Sequence, residues 1–200
     1  MVKIGKKKII ILVVVVLVLV GGGFFCWQNR EIKGSPEDYV IKETAAGIIV
    51  ENKKAGLVLK VPEGWEVKKV EIEEGAVDFS SPDLETEQKE GKIVLPFKKG
   101  CKIQASIRYE KLSFADIEIE SRYSFVLMGM KSVNFEETTV NMYPALKSTF
   151  DKQEGGVGVG ISISIPTSNK VYGFSVVWGP NEKERCIQEF DRFLETIQIK

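Results

Sequence analysis

The sequence predicts an α+β domain, an antiparallel sheet flanked by helices, behind one N-terminal transmembrane helix. Three observations predict it. Residues 9–27 carry no charge and follow a basic N-terminus. Residues 157–165 and 172–178 alternate with the two-residue period of a strand. Cys186, Ile187, Phe190, Phe193, Leu194 and Ile197 recur at the spacing of one helix face.

The N-terminus comes first. Lys3, Lys6, Lys7 and Lys8 precede residues 9–20, which are only Ile, Leu and Val, and residues 21–27 extend the uncharged run. Nineteen residues span about 28 Å as a helix, against a hydrocarbon core of ~30 Å. On insertion scales residues 9–20 alone supply roughly −5 kcal/mol. A retained anchor is the favoured reading. A cleaved signal peptide, with Gly21, Gly22 and Gly23 as small residues, and a lipid on Cys26 stay open as alternatives. The basic flank stays in the cytoplasm. The expected organisation is therefore a cytoplasmic N-terminus (1–8), a membrane anchor (9–27), a polar linker (28–45) and an extracytoplasmic domain (46–200).

Composition narrows function. The chain holds 28 basic and 28 acidic residues; residues 1–33 take six basic and one acidic, leaving the remainder at 22 and 27, a net of −5. A mildly acidic domain without a basic stripe argues against nucleic acid as a partner. Histidine is absent, which removes the commonest general base and zinc ligand. Cys101 and Cys186 match no metal spacing. They read first as buried thiols packing as small hydrophobes, with a disulfide as the alternative if the fold brings them together.

Along the domain, residues 48–51 and 57–61 read as strands around a hairpin loop at 52–56. Pro62-Glu63-Gly64-Trp65 breaks the second strand and presents a tryptophan. Residues 66–72 and 76–79 are further strand candidates. Residues 80–92, with Pro82, Gly91 and four acidic side chains, read as a solvated loop. Residues 93–97 and 101–109 return to strand character, with Ile103, Ala105, Ile107 and Tyr109 on one face. Ser113 and Asp116 have capping-box spacing and favour a helix ending near Gly129, striped by Ile117, Ser121, Ser124, Phe125 and Met128; the competing reading is a strand through residues 115–120, where Ile117 and Ile119 alternate with charges.

Residues 133–135, 138–142 and 145–150 read as extended. In residues 157–165 the Val and Ile side chains face one way and Gly158, Gly160, Ser162 and Ser164 the other; this small-residue face is the expected seat of the last helix. Both faces of residues 171–178 carry apolar groups, which predicts a central strand. Asn181, with Glu184 three residues on, is expected to cap the C-terminal helix. The aromatic residues Trp65, Tyr172, Phe174 and Trp178 read as core.

Several of these runs resemble a known family. Leu59-Lys60-Val61-Pro62-Glu63-Gly64-Trp65, Val77-Asp78-Phe79-Ser80-Ser81-Pro82, Pro144-Ala145, Val171-Tyr172-Gly173-Phe174 and Phe193-Leu194-Glu195-Thr196-Ile197 resemble motifs of PsbP/Mog1-like domains over about residues 46–200. The resemblance implies an α/β/α sandwich around an antiparallel sheet and an accessory or binding role. It implies no site residue.

The function expected is a membrane-tethered, non-catalytic extracytoplasmic module, attached through residues 9–27, that binds or stabilises another envelope protein. The alternative is a small-ligand or cation-binding domain, whose hook is the carboxylate density of Glu71, Glu73, Glu74, Asp83, Glu85, Glu87 and Glu90. A solvated face explains the same charges. A hydrolase is the third class. Serine-lysine chemistry needs no histidine, and Cys101 or Cys186 could be nucleophiles, but no nucleophile elbow is present and no base stands at a recognisable spacing. No catalytic, cofactor or metal residue is assigned.

Overall fold

The computed structural model describes residues 34–70, 75–86, 97–127, 129–152 and 159–200. The expected anchor and the basic N-terminus lie outside these residues, as do Glu71, Glu73, Glu74, Glu87 and Glu90. Among the described residues no helix is long and apolar enough to cross a membrane.

Among the described residues the domain is α+β, built of antiparallel sheets and two α-helices. A four-stranded sheet runs β1 (Tyr39–Thr44), β2 (Gly47–Asn52), β3 (Leu57–Lys60), β13 (Gln198–Ile199). A seven-stranded sheet runs β4 (Glu66–Val70), β5 (Ala76–Ser80), β8 (Cys101–Arg108), β12 (Val171–Trp178), β11 (Val159–Pro166), β10 (Tyr143–Lys152), β9 (Met130–Val140). β6 (Glu85–Thr86) and β7 (Phe97–Lys99) form a short ladder. The helices are α1 (Phe114–Leu127) and α2 (Lys183–Glu195).

Alternation makes the layers. Phe79, Ile103, Ile163 and Phe174 point from the large sheet into one core with Val50, Leu57 and Leu59 of the small sheet and Phe190 and Phe193 of α2. The Phe193 ring lies 5.0 Å from Phe79 and 6.3 Å from Phe174. The opposite face of the large sheet is covered by α1, where Ile117 packs on Leu146 and Val171. β12 is central, as its sequence predicts; Tyr172, Phe174, Val176 and Trp178 are buried on one face, and on the other Val171 is buried while Gly173, Ser175 and Val177 are half-buried. The Ser113–Asp116 box forms: Ser113 N donates to Asp116 Oδ2 (2.9 Å) and Asp116 N donates to Ser113 Oγ (3.2 Å).

Five expectations are corrected. Within the expected linker, residues 39–44 form β1, paired with β2 from Tyr39↔Asn52 to Thr44↔Gly47. Only Tyr39 of this edge strand is buried, so no alternation marks it. Residues 130–140 make one continuous strand, and Asn141-Met142, read as extended, is the two-residue turn into β10, both at positive φ. Asn141 Nδ2 then donates to the carbonyl oxygens of Leu194 (2.8 Å) and Ile197 (3.0 Å), closing the end of α2 from another sheet.

At the other end of that helix, Asn181 is not the cap. It has φ 64°, and Glu182 precedes the first turn without a side-chain cap. The small-residue face of β11 does not seat α2 either. A Cβ on Gly160 would meet Phe150 Cζ at 2.4 Å, and Phe150 stacks on Phe125 of α1. The helix instead packs over the Ile161, Ile163 and Ile165 side. Both faces of β11 had apolar partners available, and β11 alone does not say which helix takes which.

Finally, Cys101 and Cys186 are not separate thiols. They form a disulfide, with Cα atoms 5.6 Å apart across a sequence separation of 85. It joins the start of β8 to the first turn of α2, and both residues are fully buried.

Candidate functional site

An open groove of about 970 Å³ lies between the β1–β2 turn, the end of β3 and α2. Pro62 ends β3 because it has no N–H to donate to a ladder. Gly64 takes φ 76° and Trp65 N donates to Pro62 O (3.1 Å), which folds the tryptophan back onto the domain. Trp65 and Val61 are buried, and with Phe193 they make an apolar floor.

Charges of both signs stand on the rim. Lys60 and Glu63 are exposed on one side; Glu189 and Arg192 pair at 3.2 Å on the other. Thr196 holds the two walls together. Its Oγ1 accepts from Lys60 N (3.3 Å) and donates to Phe193 O (2.8 Å). That hydroxyl, the only one lining the groove among the described residues, is thereby occupied. An apolar floor with a mixed-charge rim suits an extended or loop-borne peptide, whose apolar side chains desolvate against Trp65 while its polar groups meet the rim.

The site candidates of the sequence fare differently. Trp65, Tyr172, Phe174 and Trp178 are all buried, so core packing accounts for them, although Trp65 also floors the groove. Asp83 is taken up by protein partners. It accepts from Ser81 Oγ (2.8 Å) and from the Arg185 guanidinium (3.0–3.3 Å). These bonds, the serine first, lower its pKa. Glu85 is exposed in β6. Among the described residues no group of three or more Cys, Asp or Glu side chains is placed to hold a metal ion. Cys101 and Cys186, as a disulfide, offer no thiolate.

Sequence reasoning missed a buried polar cluster behind β2. Asn52 is buried and its Oδ1 accepts from Ala55 N (3.0 Å). Beside it lie the buried hydroxyls of Tyr39 and Tyr109, neither in good hydrogen-bond geometry. Burial raises both pKa values, that of Tyr109 to about 12, and Asn52 opposes the rise. Tyr172 Oη donates to Ala55 O (2.6 Å), and burial raises its pKa as well. An Asn before a Lys-Lys turn looks solvated in sequence, so no pattern there announces the cluster.

The solution structure of cyanobacterial PsbP from Synechocystis is similar, with TM-score 0.49 and 11% identity over 81% of this chain and 92% of that one. No family model matches the chain, and no curated protein matches it.

Proposed function

We propose that the chain is a membrane-tethered, non-catalytic extracytoplasmic module of the PsbP/Mog1-like kind that binds or stabilises another envelope protein. The observation that carries the reading is the Cys101–Cys186 disulfide. Disulfides persist in oxidising compartments and are rare in the cytosol. The bridge therefore supports the outward placement that the basic flank and apolar run of residues 1–27 lead us to expect. The groove floored by Trp65 and Phe193 supports a protein partner. The cation-binding alternative loses Asp83, which Arg185 and Ser81 occupy.

Two measurements test this. In intact cells, protease added outside should cleave the domain; protection until lysis refutes the placement. Photo-crosslinking side chains placed at Lys60 and Glu63 should capture one discrete envelope protein, while the same group at Asp191, away from the groove, should not. Equal labelling from all three positions would remove the groove as the docking site.

A further inference from the structure

Cys101 and Cys186 are held together by more than their own bond. Cys101 opens β8 and Cys186 lies in the first turn of α2, and residues 81–84 tie the two backbones to each other. Ser81 N donates to Cys101 O (3.0 Å), and Cys101 N donates to Ser81 Oγ (2.9 Å). The same hydroxyl donates to Asp83 Oδ1 (2.8 Å). Asp83 in turn accepts from both terminal nitrogens of Arg185, the residue before Cys186 (3.0–3.3 Å). Ser81 is 3% exposed, so water competes little for its two bonds. Gly100 lets this segment lie directly on the strand: a Cβ there would meet Leu84 Cα at 2.6 Å and Ser81 Oγ at 2.8 Å. The Gly100 carbonyl accepts from Gly179 N (3.0 Å), in the turn that leads into α2.

From this we infer that Ser81, Asp83 and Arg185 are positioning residues for the oxidation of the pair: the domain folds with both thiols side by side, and the bridge closes on the folded chain by thiol–disulfide exchange. None of the bonds above involves a sulfur atom, so the path from Cys101 through Ser81, Asp83 and Arg185 to Cys186 survives with the sulfurs reduced. Phe190 and Phe193 seat the rest of α2 without the bridge. In an unfolded chain the two thiols must find each other across a sequence separation of 85. Holding them in place replaces that search by a reaction at high effective concentration. The oxidant comes from outside the chain and is a disulfide of the glutathione class. One cysteine thiolate attacks it, giving a mixed disulfide and releasing one oxidant sulfur. The other cysteine thiolate attacks the protein-bound sulfur and releases the second. Two protein thiols and one oxidant disulfide thus become one protein disulfide and two oxidant thiols; two electrons pass to the oxidant, and the two thiol protons end on the released sulfurs. Both cysteines are buried, so exchange proceeds through openings of the first turn of α2, whose start has no side-chain cap. The inference rests on the bridge alone, and not on the groove or on the outward placement.

Equilibration with glutathione tests it on the full chain in mild detergent, with Cys26→Ser so that only the pair exchanges. The oxidised fraction is read by thiol alkylation and gel shift across glutathione thiol–disulfide ratios, with urea titrations of both forms alongside. The reduced chain should keep a cooperative transition and reoxidise to one species. Ser81→Ala and Asp83→Ala should each lower the equilibrium constant for bridge formation at least fivefold, about 20 mV in potential. A contact that is only structural weakens the oxidised and reduced chains alike and leaves this constant where it was. Asp38→Ala is the control. Its carboxylate accepts from Ser35 N (3.0 Å) and Lys54 Nζ (3.2 Å), beside Tyr109 and past the far end of β8, and its loss should not move the constant. A reduced chain without a cooperative transition, a smaller change in either Ser81→Ala or Asp83→Ala, or an equal fall in Asp38→Ala each overturns the proposal.

Discussion

Reducing the Cys101–Cys186 bridge should remove a large part of the stability of the domain. The closed loop is set by the sequence separation of 85. Restricting an unfolded chain over that length costs it about 15 cal/mol/K of entropy, or ~4.5 kcal/mol at 25 °C. Domains of this kind are stable by ~5–15 kcal/mol in total. Both sulfurs sit under α2, with neither cysteine exposed, so a reductant must wait for α2 to open. The assay is a pair of urea titrations on the same purified chain, oxidised and fully reduced, with free thiols counted. Oxidised protein should unfold with a free energy larger by about 3–4.5 kcal/mol, and the reduced chain should show a slightly steeper urea dependence because its unfolded state is more expanded. Reduction in native buffer should be slower than in urea by orders of magnitude. Equal stabilities within about 1 kcal/mol, or reduction as fast in buffer as in urea, would refute both the cross-link and the burial.

Three further outcomes follow from the packing. Phe190→Ala should cost about 3–5 kcal/mol in the same titration, because a buried ring leaves a cavity, while Asp191→Ala, fully on the solvent side, should change stability by less than about 0.5 kcal/mol. Asn141→Asp should destabilise more than Asn141→Ala, since it sets a carboxylate against the carbonyls of Leu194 and Ile197 that Nδ2 now serves; about 1–3 kcal/mol is expected for the lost bonds, and an equal effect of the two substitutions would argue against the contact. Tyr39, Tyr109 and Tyr172 are held neutral by burial, so their folded pKa values stand above the unfolded value. Their contribution is then complete below about pH 10, the ordinary tyrosine value, and is lost as pH rises toward about 12. Melting temperature against pH, with phenolate absorbance recorded alongside, should show the loss coincide with ionisation; normal titration of all five tyrosines in folded protein would contradict it.

Much of the sheet was legible in the sequence because a half-buried strand writes its burial as a period of two. β8 and β12 carry that signal along their whole length, and the apolar stripe of α2 writes its seat in the same way. The Ser113–Asp116 box is local chemistry within three residues, so it too could be read directly. β1 was not legible, since one buried tyrosine at its start leaves no period. The candidate groove was half legible: Pro62 to Trp65 marked a turn, but only folding set Phe193 and Arg192 across from it.

What the sequence by itself determined is what depends on near neighbours: strand alternation, the α1 cap, the stripe on α2 and the uncharged run behind four lysines. The tertiary structure alone decided which distant residues meet. It joined Cys101 to Cys186, turned Asn141 from a hairpin residue into the closure of α2, committed Asp83 to Arg185, and assigned the two faces of β11 to different helices. Each of these joins residues tens of positions apart through sheet order, and sheet order is fixed by how all the apolar faces are buried at once. No single stretch carries that information.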